Sequence, residues 1–237
     1  MICIRDRFMV LPVLILSGAD YTHSNVFLLG VALGIYGLTQ ACLQIPFGIL
    51  SDRFGRKRLI IIGLIIFALG SVLAATADSI QGLIVGRALQ GAGAIAGVIM
   101  AMVGDMTSNE TRTKAMATIG ASIGVAFALS LVVGPLLTAT GGVRWVFWLT
   151  LALSVIAIAI VIWIVPPENQ SNRHRLVSLE GLRQVTANTD LLRLNLGIFM
   201  LHAVLMSLFV ALPLFLQTIN IPPAEHAWVY LGVMGIS

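Results

Sequence analysis

Gly48-Ile49-Leu50-Ser51-Asp52-Arg53-Phe54-Gly55-Arg56-Lys57-Arg58 is a short charged interruption between two long apolar runs, Val26–Leu50 and Leu59–Ala77. A bilayer core takes about 20 apolar residues per helix, so each run is long enough to span one. The five charges between them are too costly to leave in hydrocarbon. The interruption therefore belongs at a membrane face, with a span on either side. Runs of this kind are predicted to be helices, because only a helix satisfies all its backbone groups within the segment. The pattern repeats outward at Gln81–Val103, Ala115–Thr138, Trp145–Val165 and Leu191–Gln217. A further apolar run opens near Ala227 and reaches Ser237, too few residues to cross. The fold class expected is an all-α, polytopic membrane helix bundle.

Composition agrees. Of 237 residues 58% are apolar and 10% are Asp, Glu, Lys or Arg, where a soluble domain carries about 25% charged residues. Mean hydropathy is +0.99. A soluble enzyme is thereby excluded. Cys3 and Cys42 offer no disulfide framework, and no Cys/His cluster has metal-ligand spacing, so neither metal nor cofactor is expected. The net charge of +4 would suggest nucleic acid in a soluble chain. In a membrane chain its distribution matters more, and nucleic acid is not an expected partner.

Cytoplasmic loops carry an excess of Lys and Arg. With the N-terminus inside, Arg5, Arg7, Arg53, Arg56, Lys57, Arg58, Arg112, Lys114, Arg173, Arg175, Arg183 and Arg193 fall inside, Arg144 falls outside, and Arg87 lies within a span. The connections expected inside are Ser51–Arg58, Gly104–Lys114 and the long Pro166–Asp190. Those expected outside are short. Trp145, Trp148 and Trp163 fit the interfacial aromatic belts. Phe8–Leu16 fits two readings: a signal peptide with Ser17-Gly18-Ala19 as its cleavage site, or the outer part of a first helix lacking its inner part. The truncated helix is preferred.

Several helix faces carry information. Gly30/Gly34, Gly82/Gly86, Gly93/Gly97 and Gly120/Gly124 are spaced to let helices approach closely, and packing within the bundle accounts for them better than dimerisation. Tyr36, Gln40 and Gln44 share one helix face and should line a cavity or bond a neighbouring helix. Arg87 is the most informative single residue. A cation within a span costs roughly 2.5–3.5 kcal/mol on insertion scales and usually marks a pathway or relay; Gln90 and Gly91 lie on its side. Asn195 and His202 lie within the sixth full run. A neutral, hydrogen-bonded packing role for His202 competes with cavity lining. No Asp or Glu lies well inside any run, which weakens a simple carboxylate proton carrier. No triad or phosphate loop suggests catalysis.

The quoted loop closely resembles the signature loop of the major facilitator superfamily, Gly-x-Leu-(Ala/Ser)-Asp-Arg-x-Gly-Arg-(Lys/Arg), and it lies where that family places it, between helices two and three. Arg87-Ala88-Leu89-Gln90-Gly91 resembles the family's fourth-helix motif. Gly134-Pro135 resembles the core of the drug/proton antiporter motif, although Ser130, Thr138 and Ala139 stand where glycines are expected. Gly34–Gly48, Gly86–Ile95, Arg112–Ala117, Asn195-Leu196-Gly197 and Leu201-His202 resemble the YajR-type bacterial inner-membrane transporters.

The resemblance implies twelve helices in two halves, each built from inverted three-helix repeats, with substrate bound between the halves. Residues 1–165 would be the first half, 166–190 the cytoplasmic linker, and 191–237 the start of a second half that is mostly missing. Asp52 would face a helix N-terminus of that half, and Arg56 would pair with Asp105. The function implied is proton-coupled efflux of small amphipathic molecules by alternating access. Arg87 would couple protons to the movement, and lipid, protons and an unknown solute would be the partners. A uniporter or importer of the same fold, or a truncated non-transporting membrane protein, are the competing readings. The location implied is the bacterial inner membrane, multi-pass, with the N-terminus inside.

Overall fold

The computed structural model describes residues 9–10, 13–14, 21–93, 95–166, 187–219 and 229. Arg5, Arg7, Ser17–Ala19, residues 167–186 and, apart from Val229, the run after Ala227 lie outside the described residues. Among the described residues seven long helices follow one another: α1 (Val26–Phe54), α2 (Arg56–Thr76), α3 (Ile80–Ala92), α4 (Ala96–Met106), α5 (Asn109–Gly141), α6 (Val143–Trp163) and α7 (Thr189–Thr218). With α3 and α4 counted as one stretch, six are long and apolar enough to cross a membrane.

Helix ends follow capping chemistry. The Asn25 side chain accepts from Leu28 N at 2.7 Å and starts α1. Ser79 does the same for α3, accepting from Gly82 N at 3.2 Å. Both satisfy N–H groups that have no partner within the helix.

Three boundaries differ from the sequence reading. First, Ser51–Arg58 is not an open loop: α1 runs on to Phe54, a single residue intervenes, and α2 begins at Arg56. Gly55 makes this junction with φ 99°, a conformation that costs other residues dearly. Second, Gly104–Lys114 shrinks to Thr107 and Ser108, because α4 and α5 extend toward each other. The charges Arg112 and Lys114 thus lie on a helix. Third, Gln81–Val103 is broken between α3 and α4. Glycine is a poor helix former, and Gly93 presses on the α2 backbone at Gly63 O and Phe67 N, where a Cβ would collide.

The bundle is built around α2, which packs most extensively on α6 and α3, while α1 packs on α3. The main core joins Leu29, Ala32, Ala74, Ile80, Leu83, Val143 and Phe147 with Met9, Val10, Val13 and Leu14. The last four are helical where described and buried, as a helix of the bundle would be. A second core at the other end joins Leu59, Ile60, Leu64, Ile95, Val98 and Ala157. Through Leu205, Leu212 and Leu216, α7 packs near Leu33, Phe127 and Leu131.

The glycine pairs divide. Gly86 presses on Ala74, and Gly93 and Gly97 press on α2 and on Gln44, so these pack helices within the bundle. Among the described residues nothing lies within 4 Å of a Cβ built on Gly30, Gly34, Gly48, Gly120 or Gly124. No described residue therefore makes a close helix approach at these glycines.

Candidate functional site

Arg87 is the largest fully buried side chain among the described residues, at 1% exposure. It sits two turns into α3, and burying a cation there demands partners. Its Nη1 donates to Gln90 Oε1 at 2.8 Å, and its Nε donates to Ala32 O at a long 3.4 Å. The guanidinium carbon lies 4.5 Å from the centre of the Tyr36 ring, a cation–π geometry. Gln90, itself fully buried, donates from Nε2 to Ser71 Oγ at 2.8 Å, and Ser71 donates to Phe67 O at 2.9 Å. The polar chain thus runs from α3 to α2 and ends on a backbone carbonyl. Arg87, Gln90, Ser71 and Tyr36 include no carboxylate.

Small residues make this possible. A Cβ on Gly70 would lie 2.8 Å from Gly86 O and 2.9 Å from Gln90 Cγ, so α2 approaches α3 at the level of Gln90 only as glycine. Gly91 abuts Tyr36 O and Thr39 Oγ1. That contact sets α1 against α3 and places the Tyr36 ring over Arg87.

The charged end is a second, separate arrangement. Arg56 bridges two carboxylates: its Nη2 lies 3.1 Å from Asp52 Oδ1, and its Nε donates to Asp105 Oδ2. Asp52 is on α1, Arg56 on α2 and Asp105 on α4, so one guanidinium ties three helices. The Arg56 and Asp52 side chains are 18% and 23% exposed and Asp105 is 50% exposed. Arg53 projects outward with its guanidinium 5.5 Å from the Phe54 ring centre. The expected pairing of Arg56 with Asp105 is thus present in the geometry.

The remaining sequence-predicted residues are spread out. Gln40 and Gln44 are half-buried, and Gln44 lies against Gly97. Tyr36 is buried, with its ring beneath Arg87. Asn195 and His202 are exposed on α7; the His202 ring bonds its own helix, with Nδ1 3.0 Å from Ile198 O. Pro135 is inside α5, and Gly134 lies close to the Met9 backbone, where a Cβ would be 2.7 Å from Met9 O.

Two features escaped the sequence reading. Ser71, the partner of Gln90, carries no signal, because which face of α2 meets α3 is a tertiary fact. The pair Arg144–Asp78 at the opposite end, 2.6 Å apart, was within reach: these are the charges of two short connections. Arg144 also donates to Ala77 O at 3.2 Å, and Thr22 N donates to Asp78 O at 3.0 Å.

Comparison with known proteins agrees with the bundle. The family model described as Major Facilitator Superfamily matches residues 1–237. The "Inner membrane transport protein YajR" of Escherichia coli (strain K12) is 50% identical over 97% of this chain and 51% of its own length. A protein named as an uncharacterized transporter from Buchnera aphidicola is 39% identical over 97% of this chain and 60% of its own. The chain spans about half the length of the curated relatives it matches. Among solved structures, a peptide transporter POT in complex with sulfate superposes with a TM-score of 0.52 at 16% identity, over 99% of this chain and 48% of that one, a likeness of fold. A bundle of membrane-length helices, a buried arginine on α3, a charged junction where α1 meets α2, and a family match along the whole chain lead to one assignment: the chain belongs to the major facilitator superfamily of membrane transporters.

Proposed function

We propose that this chain supplies the first half, residues 1–165, the linker, residues 166–190, and the start of the second half, residues 191–237, of a proton-coupled exporter of small amphipathic molecules. It would lie in a bacterial inner membrane with its N-terminus and the Arg56 end inside. Transport would proceed by alternating access between this half and a second one, with solute held between them. The Arg56–Asp52–Asp105 cluster would act as a latch that biases one state, Asp52 meeting a helix N-terminus of the other half. Arg87 and Gln90 would serve the coupling, and Tyr36, Gln40, Gln44, Asn195 and His202 remain candidates for the side facing solute. Gly134-Pro135 would mark the antiporter-like fifth helix of the family.

The observation that carries this reading is Arg87. A permanent charge is held inside a span by Gln90, Tyr36 and Ala32 O. Such a charge acts through its field, favouring the ionised form of any acid that approaches it. In the same position a purely structural residue would be better apolar.

A second reading, uniport or import on the same fold, is favoured by the worn fifth-helix motif, where Ser130, Thr138 and Ala139 stand in place of glycines.

The test is flux in liposomes. The complete protein encoded with these residues is reconstituted, a pH gradient is imposed, and movement of fluorescent amphipathic cations is followed with and without a protonophore. Gradient-driven movement that the protonophore abolishes is expected. Movement that is indifferent to the gradient favours uniport. The 237-residue chain alone offers one wall of the cavity and is expected to give no flux above empty liposomes.

A further inference from the structure

The first turn of α2 is electrostatically odd. Arg56, Lys57 and Arg58 open the helix, no acid lies in that turn, and Gly55 gives it no side-chain cap. Cations at a helix N-terminus oppose its dipole. At the same end of the bundle α6 has the complementary deficit. No cation lies in its last turn, and its last carbonyls have no donor within the helix. Because α2 and α6 pack against each other and run in opposite directions, the two deficits meet. The Lys57 ammonium donates to Ile162 O at 3.1 Å and to Val165 O at 2.6 Å.

The same device recurs in the bundle. Arg112, near the start of α5, donates to Gly104 O in the last turn of α4 at 3.0 Å. Arg144, the second residue of α6, donates to Ala77 O just beyond α2 at 3.2 Å. In each case a cation set against its own helix caps the carbonyl end of a neighbour.

We propose that Lys57 is a positioning residue of the latch: its ammonium caps the carbonyl end of α6, so that the latch holds α1, α2, α4 and α6 together. This role rests on the reading of residues 51–58 as a conformational latch. Lysine suits the task because a compact ammonium with three donors can serve two carbonyls at one helix end. Arg56 and Lys57 are adjacent in the same turn. Releasing Arg56 from Asp52 and Asp105 would loosen the turn from which Lys57 reaches, and so uncap α6.

The contact is read without transport. In the chain held in lipid nanodiscs, with Cys3 and Cys42 replaced by alanine, a spin label is placed at Ile164→Cys, 73% exposed, and in a separate sample at Val155→Cys, 54% exposed. Lys57→Met should raise the mobile fraction at position 164 by roughly two- to fivefold, the scale of a cation at a helix C-terminus, and leave position 155 unchanged. Lys57→Arg should restore much of the order, the neighbouring Arg58→Met should change nothing, and Arg56→Ala should raise mobility at 164. No change at 164 in Lys57→Met, or an equal rise at 155, overturns the cap. A rise in Lys57→Met with none in Arg56→Ala overturns its membership of the latch. Should Lys57→Met not accumulate, the unsubstituted chain decides. Its lysines are Lys57 and Lys114, so magic-angle-spinning NMR between 15Nζ lysine and carbonyl-13C valine or isoleucine reports the contact directly. Its absence there refutes the cap. Because neither measurement needs flux, failure of the cap and failure of the transport reading are separately visible.

Discussion

Replacing Arg87 with glutamine tests whether the buried charge serves coupling or packing, because the energetics of the site nearly cancel. Removal takes away a charge-assisted hydrogen bond to Gln90 at 2.8 Å, worth about 1.5–3 kcal/mol. It also takes away the cation–π contact with Tyr36 at 4.5 Å, worth about 2 kcal/mol when desolvated. The 3.4 Å contact with Ala32 O is too long to add much. Against these losses, a cation no longer has to be held within a span, a relief of about 2.5–3.5 kcal/mol. The net effect on stability is a loss of roughly 0–2.5 kcal/mol, and a glutamine at 87 that bonds Gln90 brings it toward the lower figure. The variant should therefore insert and fold.

Coupling has no such compensation. If the charge's field is what biases a proton carrier, Arg87→Gln abolishes pH-gradient-driven flux. Arg87→Lys retains part of it, keeping the charge while losing the planar fork that serves Gln90 and Tyr36 together. Three readouts on the complete protein separate the roles: membrane level, thermal stability in detergent, and flux under an imposed pH gradient. Normal gradient-driven flux in Arg87→Gln refutes the reasoning and reduces Arg87 to a packing residue. A severe loss of folding in Arg87→Gln shows that the energetic balance was misjudged.

Arg56→Ala should insert normally, since exposed ion pairs contribute only ~0–1 kcal/mol each and these side chains are 18–50% exposed. It should shift the inward/outward balance read by cysteine accessibility, and unchanged balance and transport would leave the junction a topogenic charge patch only. Gly70→Val puts a Cβ 2.8 Å from Gly86 O and should cost about 1–3 kcal/mol or more of overpacking, seen as a lowered melting temperature. Gly30→Ala, with nothing within 4 Å among the described residues, should not lower the melting temperature in the same assay. An impermeant thiol reagent applied to intact cells should label a cysteine at Thr22 and miss one at Asn169; rapid labelling at Asn169 would overturn the orientation.

Much of the fold was legible because the bilayer demands one thing of each span, an unbroken apolar length, and that is written locally. The boundaries were less legible where charge was taken to end a helix. Arg56, Lys57, Arg112 and Lys114 were placed in connections, yet all lie on helices, because long cationic side chains can leave the hydrocarbon while their backbone remains helical. The break between α3 and α4 was hidden for the opposite reason: the residues from Gly91 to Ile95 are apolar, and only contact with α2 shows why the helix stops there. Arg87 and Gln90 were visible as polar residues in an apolar run. For Tyr36 the sequence left a cavity and a neighbouring helix both open, because helix spacing gives a face but not the neighbour that the face meets.

The misplaced cations lead to a more general conclusion about this bundle. By local rules a basic first turn is unfavourable, and α2 and α6 both place cations at their N-terminal ends. Such a conflict is resolved only by an antiparallel neighbour whose carbonyl end lies alongside, as α6 does for α2 and α2 does for α6. The local penalty thereby favours one arrangement of helices over alternatives that bury as much apolar surface. In lipid, where apolar burial discriminates poorly between helix neighbours, that selectivity has particular value. Interactions at the membrane faces then specify which helices adjoin, while glycine contacts such as Gly70 on Gln90 set how closely they pack. A transporter must exchange one set of such end contacts for another as it moves. Contacts of modest strength at the helix ends suit that exchange better than a dry, tightly interlocked core would.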